Sequence, residues 1–154
     1  MNNSLKAIYE KVYGSPFSYD DFENRKKLQK AVYLLENMGV DVGDYSFSWD
    51  SYGPYSLGLD CEASQLDNAG GQEFSFSRFA VESFERLKEI AETKTRYDSS
   101  SWMECIASLH YLKNVFRIKE DDVIAELVRR KPYLVDDEAN RTALAIVNSI
   151  KVGA

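Results

Sequence analysis

The fold is decided by the segment Arg25-Lys26-Lys27-Leu28-Gln29-Lys30-Ala31-Val32-Tyr33-Leu34-Leu35 and by the loop Tyr52-Gly53-Pro54-Tyr55-Ser56. Leu28, Val32 and Leu35 recur at spacings of four and three, so they lie on one face of a helix. We therefore expect a central helix that begins near Asp20, ends at Gly39 and turns this apolar face into the core.

The basic side chains of this helix fall away from its apolar face. We expect Arg25, Lys26 and Lys30 to remain in water, where with Lys27 they would form a local basic patch. The whole chain has a net charge of -6 and a pI of about 4.9, which opposes attraction to phosphate backbones and anionic membranes. The sequence therefore predicts no strong nucleic-acid binding and no membrane partner.

The length and composition favour one domain. The chain has 154 residues, of which 44% are hydrophobic, which suffices for one core but not comfortably for two. We predict a single domain over residues 1–154 with an α+β, predominantly helical fold of six or seven helices and two or three short strands. The N-terminus lacks an apolar signal segment and no run has the ~20 apolar residues of a membrane span, so we expect a cytoplasmic protein.

Two short strands are expected between the helices. Tyr45, Phe47 and Trp49 alternate with polar residues, which is typical of a half-buried strand. Phe74 and Phe76 flank a serine and predict a second strand.

The loop at Tyr52–Tyr55 is expected to begin a helix. Gly53 permits an unusual backbone angle, and Pro54 suits a first helical position. We predict a helix from roughly Tyr55 to Asn68 that carries Leu57, Cys61 and Leu66. Two helices followed by a strand resemble a winged helix-turn-helix. However, this helix has three carboxylates and no Lys or Arg, which does not suit a DNA-reading helix.

The remaining helices are expected from periodicity and capping residues. A short helix before Gly14 carries Leu5, Ile8, Tyr9 and Val12. Others begin at Ser77 with Phe79, Phe84, Leu87 and Ile90 inward, at Ser101 through a capping box with Glu104, at Asp121–Asp122, and at Asp136–Asp137. The helix that starts at Ser101 should carry one apolar stripe: Trp102, Cys105, Ile106, Leu109, Leu112 and Phe116.

Catalytic and metal-binding patterns are absent from the sequence. His110 is the only histidine and is interpreted as a packing or helix-surface residue, although a dyad with Cys61 is conceivable. No histidine pairing suits a zinc site, and no glycine loop suits a phosphate group, so we predict no metal, no cofactor and no enzymatic activity.

A family resemblance rests on the two quoted motifs. The block Lys27-Leu28-Gln29-Lys30 with Tyr33-Leu34-Leu35, then Phe47, Trp49 and Tyr52-Gly53-Pro54-Tyr55-Ser56, resembles the YwgA-like branch of the Panacea (SocA-like) domain family. The second half agrees loosely through Ala107–Lys113 and Lys131-Pro132. Panacea domains are compact, mostly helical antitoxin modules that neutralise unrelated toxins by binding them. The resemblance implies a protein-binding role without catalysis and a protein partner such as a toxin.

We thus predict a protein-binding module of antitoxin or adaptor type. Its partner-binding surface is expected to comprise the basic helix face and the loop, that is Arg25, Lys26, Lys30, Tyr52, Gly53, Pro54 and Tyr55. The first alternative is a winged-helix-like DNA-binding regulator, and the second is a cysteine-dependent hydrolase.

Overall fold

The computed structural model of the chain describes residues 4–66 and 74–150. These residues form seven helices and one antiparallel sheet of two strands, which confirms the α+β, predominantly helical fold. In chain order the elements are α1 Leu5–Tyr13, α2 Phe22–Asn37, β1 Ser48–Asp50, β2 Gly53–Tyr55, α3 Leu57–Ser64, α4 Arg78–Ala91, α5 Ser99–Asn114, α6 Val123–Arg130 and α7 Asp137–Ser149. Within the described ranges, no helix is both long and apolar enough to cross a bilayer.

The central helix α2 forms as predicted. The side chain of Asp21 accepts the backbone N–H groups of Glu23 and Asn24, which caps the first turn. Leu28, Val32 and Leu35 are fully or almost fully buried. The helix α2 packs against α5, the other helix of 16 residues, so the two long helices form the centre of the core.

The start of α5 differs from the predicted capping box. The helix begins nearly one turn before the predicted cap at Ser101. Asp98 is its cap, because its carboxylate accepts the Ser101 N–H at 2.8 Å. Glu104 therefore does not cap the helix but lies fully buried inside the protein. The apolar stripe is otherwise correct, except that Phe116 lies beyond the end of the helix and is partly exposed.

The loop after the central helix forms a strand and not the start of a helix. Trp49 lies opposite Pro54 and Asp50 opposite Gly53 in the β1–β2 hairpin. Proline is tolerated here because each strand of a two-stranded sheet has a free edge. Ser56 then caps α3 by accepting the Leu59 N–H.

The later start of α3 changes which residues it buries. Leu59 and Ala63 are the buried residues of α3, whereas Leu57 and Cys61 are exposed. The predicted end of this helix, Asn68, lies outside the described residues, and Leu66 is only partly buried. The helix is shorter than expected at its start and ends at Ser64.

Two further strand predictions are partly wrong. Tyr45, Phe47 and Trp49 alternate in burial as expected, but pairing is confined to residues 48–50. Phe74 and Phe76 have neither strand nor helix backbone, and Phe76 packs edge-on against Phe84. Because the hairpin precedes α3 and residues 74–77 form no strand, the described chain lacks the helix–helix–strand order of a winged helix.

The caps of the later helices are largely as predicted. Ser77 caps α4 and Asp136 caps α7, each accepting a backbone N–H three residues ahead. Asp122 precedes α6 without a side-chain cap. On α4, Phe79 is exposed, while the other three predicted apolar residues are buried: Phe84, Leu87 and Ile90.

The hairpin is seated directly on α5 at Gly53. This residue has a φ of 93°, and a Cβ atom there would overlap the hydroxyl oxygen of Ser108. Ser108 is fully buried and its side chain is short, so it cannot move aside easily. A glycine is thus needed at position 53 both for its backbone angle and for this close approach.

We predict that Gly53→Ala destabilises the protein more than Gly14→Ala does. Gly14 also has a positive φ, of 73°, but no atom lies within 4 Å of the position its Cβ would take. In Gly14→Ala the strained backbone angle should lower the free energy of unfolding by about 1 kcal/mol. In Gly53→Ala overpacking should lower it by a further ~1 to 3 kcal/mol. Urea unfolding of both variants measures the difference. The double variant Gly53→Ala with Ser108→Ala lacks the overlapping hydroxyl, so it should be less destabilised than Gly53→Ala on this account. Equal losses at the two positions would contradict the close approach.

Candidate functional site

A surface cavity of about 420 Å³ opens between α2, the hairpin and α3. Five of the seven predicted partner-binding residues line it, namely Arg25, Lys26, Lys30, Tyr52 and Tyr55. Gly53 and Pro54 are not among the lining residues and are buried. The fold therefore brings together the two sequence motifs that were predicted to act together.

The expected solvation of the basic residues was wrong for two of them. Lys26 is 9% exposed and Lys30 is 1% exposed, although both were predicted to stay in water. Arg25 and Lys27 are half-buried. The reason is that other elements cover this side of α2: Lys26 pairs with Glu104 of α5, and Lys30 donates to the Pro54 carbonyl of β2.

Glu104 on α5 supplies a buried negative charge beside this helix. Its carboxylate oxygens pair with Lys26 Nζ at 2.6 Å and with Lys131 Nζ at 3.2 Å. The Tyr133 hydroxyl donates a hydrogen bond to the same carboxylate. Burial is the main cause that raises the pKa of Tyr133, and this hydrogen bond raises it further. Lys131 Nζ also donates to the Ser51 carbonyl at 2.6 Å, which ties the cluster to the hairpin.

Lys30 lacks such a counter-ion. Its Nζ donates to the carbonyl oxygen of Pro54 at 2.8 Å, and no carboxylate of the described residues forms an ion pair with it. Burial lowers the pKa of Lys30 to about 7; Glu104 opposes this shift, while Lys131 and Lys26 add to it. Lys30 is thus a buried amine that loses its charge more easily than an ordinary lysine.

Gln29 holds the end of the hairpin against α2. Its amide group donates to the Ser56 carbonyl at 2.9 Å and accepts the Ser56 N–H at 2.9 Å. Sequence reasoning missed Gln29, Glu104 and Lys131. The sequence contains a signal for Gln29, because Gln29 and Lys30 follow Lys26 by three and four residues, and the three side chains form one polar stripe on the helix.

Two exposed aromatic rings stand at the mouth of the cavity. Phe22 is 43% exposed and Tyr52 is 42% exposed, and their ring centroids lie 5.2 Å apart. We call this pair the aromatic rim. The Arg25 guanidinium lies 5.6 Å from the Phe22 ring, and Lys26 Nζ lies 4.9 Å from the Tyr52 ring, so cations and rings form one continuous surface.

The histidine and one of the two cysteines are buried, and the other cysteine is exposed. His110 is buried on α5, and its Nδ1 lies 2.7 Å from the Tyr33 hydroxyl. Burial, aided by Lys113, lowers the pKa of His110 to about 4, so the ring is neutral at pH 7. Cys61 is exposed on α3, whereas Cys105 is buried on α5, where burial raises the pKa of its thiol. In the part of the chain that the structure describes, no three acidic, histidine or cysteine side chains are grouped to hold a metal ion.

No family model, curated protein or solved structure matches this chain. The site is therefore interpreted from its own geometry and from the sequence motifs that form it.

We predict that Glu104→Gln strongly destabilises the fold. The variant leaves the ammonium groups of Lys26 and Lys131 buried without a carboxylate, which typically costs about 3 to 5 kcal/mol. The matched control is Glu82→Gln, which breaks the exposed ion pair with Arg78 and should cost less than ~1 kcal/mol. Urea unfolding at neutral pH measures both losses. A loss in Glu104→Gln as small as in the control would show that the buried pairs do not stabilise the core.

A second prediction concerns acid stability. His110 has a pKa of about 4 in the folded protein and an ordinary value of 6.5, so between these values the unfolded chain binds more protons. The contribution of neutral His110 should be fully present above 6.5 and should be lost as the pH falls towards 4. The free energy of unfolding of the wild type should therefore fall more steeply in this window than that of His110→Gln. Parallel pH profiles would contradict this assignment.

Proposed function

We propose that this chain is a non-catalytic protein-binding module of antitoxin or adaptor type. The observation that carries the proposal is the aromatic rim, Phe22 and Tyr52, standing half exposed over a cavity with buried cations. Its partner is proposed to be a protein, such as a toxin, that covers the rim and enters the cavity.

The composition of this surface supports a protein partner. Aromatic residues and arginine are enriched at the centres of protein interfaces, where each contributes a large contact area at little entropic cost. Phe22, Tyr52 and Arg25 are adjacent here, and Tyr19 and Tyr55 continue the aromatic surface into the cavity. A pocket beside exposed rings suits the insertion of a partner side chain.

The resemblance to the Panacea family supports the same proposal. The Lys27–Lys30 block and the Tyr52–Ser56 loop carry that resemblance, and residues from both line the cavity or hold its walls. In this proposal the two motifs serve one surface for recognition.

The two alternative functions have less support. A DNA-binding regulator would need exposed cations, but Lys26 and Lys30 are buried, and α3 contains Asp60 and Glu62 without any Lys or Arg. A cysteine hydrolase would need a base beside its thiol. His110 is buried against Tyr33 instead.

The proposal predicts that the aromatic rim is required for binding. The affinity-tagged chain should capture a specific protein from extracts of its source cell, and Phe22→Ala with Tyr52→Ala should reduce this capture at least ~10-fold, as expected when two interface aromatics are lost. Phe79→Ala is the matched control, because Phe79 is 52% exposed on α4 and does not line the cavity.

Quantitative mass spectrometry of the captured proteins measures the outcome, and circular dichroism checks that each variant is folded. Equal capture by the rim variant and the wild type would refute the proposed surface. Equal loss in the Phe79→Ala control would indicate a general loss of the fold and would likewise remove the support for the rim.

A further inference from the structure

Lys30 is the most deeply buried cation of the cavity, and no carboxylate of the described residues pairs with it. An ammonium group has three N–H donors, and among the described residues the Pro54 carbonyl is the one acceptor for Lys30 Nζ. The side chain is 1% exposed, so bulk water does not replace the missing acceptors. Lys30 nevertheless lines the cavity, so a group that enters the cavity lies beside this side chain.

With Lys30 protonated, the charges around the cavity leave an excess of one positive charge. The lining has three cations, Arg25, Lys26 and Lys30, but two carboxylates, Asp50 and Asp60. Beneath the lining, Lys131 and Glu104 balance each other. This local excess occurs in a chain whose net charge is -6.

The two carboxylates of the lining already have hydrogen-bond donors of their own. Asp60 accepts the Tyr19 hydroxyl at 3.1 Å, and Asp50 accepts the Ser51 N–H at 2.8 Å. Neither forms an ion pair with Lys30 in the described part of the chain. A group with a single negative charge would therefore neutralise the net positive charge of the lining. A doubly charged phosphate would leave the cavity with a net negative charge and would be repelled by both carboxylates.

We infer that the cavity receives one carboxylate from an acidic side chain of the partner protein, and that this carboxylate accepts hydrogen bonds from Lys30 Nζ. The inference rests on the proposed function and names the chemistry that its site recognises. A side chain of a protein fits better than a free small acid, because the two rings of the aromatic rim line the cavity but remain 43% and 42% exposed, and a protein surface can cover this apolar area. A free acid would leave Phe22 and Tyr52 exposed.

Binding of benzoate tests the chemistry without any knowledge of the partner. Benzamide has nearly the same shape but no charge, and phenyl phosphate carries a phosphate in place of the carboxylate. Titrations followed by NMR at the Lys30 side chain should show saturable benzoate binding that is at least ~10-fold tighter than benzamide binding. Equal binding of benzoate and benzamide, or tighter binding of phenyl phosphate, would overturn the inference.

Two variants locate the effect at Lys30. Lys30→Met keeps most of the length but removes the charge, and benzoate binding should fall at least ~10-fold, to the level of benzamide. Lys27→Met is the matched control on the same helix, because Lys27 Nζ lies 4.3 Å from the Tyr13 ring and does not line the cavity. Retained benzoate binding in Lys30→Met would overturn the inference, and the comparison on the wild-type protein remains decisive if that variant does not fold.

Capture of the partner separates this inference from the proposed function. Both hold if Lys30→Met weakens capture about 10-fold and Lys27→Met does not. If the rim variant loses capture while Lys30→Met keeps it, the protein-binding function stands and the carboxylate inference falls. If benzoate binds through Lys30 but no protein is captured, the function falls, and the cavity is a site for free small acids, which overturns the inference as well.

Discussion

The carboxylate of Glu104 holds two ammonium groups inside the protein, and the arrangement of the site depends on it. Lys26 comes from α2 and Lys131 from the segment after α6, so one side chain of α5 joins three parts of the chain. Lys131 also donates to the Ser51 carbonyl and thereby extends the cluster to the hairpin. Removing charges from water is costly, and a buried ion pair is tolerated only where further hydrogen bonds satisfy its members. Tyr133 and Ser51 provide such bonds here.

The hairpin converts the polar face of α2 into the wall of a cavity. Lys30 donates to Pro54, and Gln29 makes two hydrogen bonds with the backbone of Ser56, so the second strand is held along the helix. Gly53 lets the same strand approach α5 closely. Polar groups that would otherwise be in water are thus buried but remain accessible from the cavity, which is an arrangement suited to recognising a polar group of a partner.

The proposed surface combines two kinds of contact with different physical roles. The exposed rings of the aromatic rim can contribute affinity because burying them removes apolar area from water. The cations behind them can contribute specificity, since a partner that places an uncharged or positive group there leaves buried donors unpaired.

The sequence by itself determined the helical content, the apolar faces of α2 and most of α5, and the caps at Ser77 and Asp136, because these features depend on neighbours close along the helix. It also indicated five of the residues that line the cavity. Tertiary structure alone decided that Lys26 and Lys30 are buried, that Glu104 pairs with lysines instead of capping a helix, and that Pro54 lies in a strand. Their partners lie far along the chain: Lys30 and Pro54 are separated by 24 residues, and Lys131 and Ser51 by 80. Helical periodicity states which residues share a face, but it does not state what covers the opposite face.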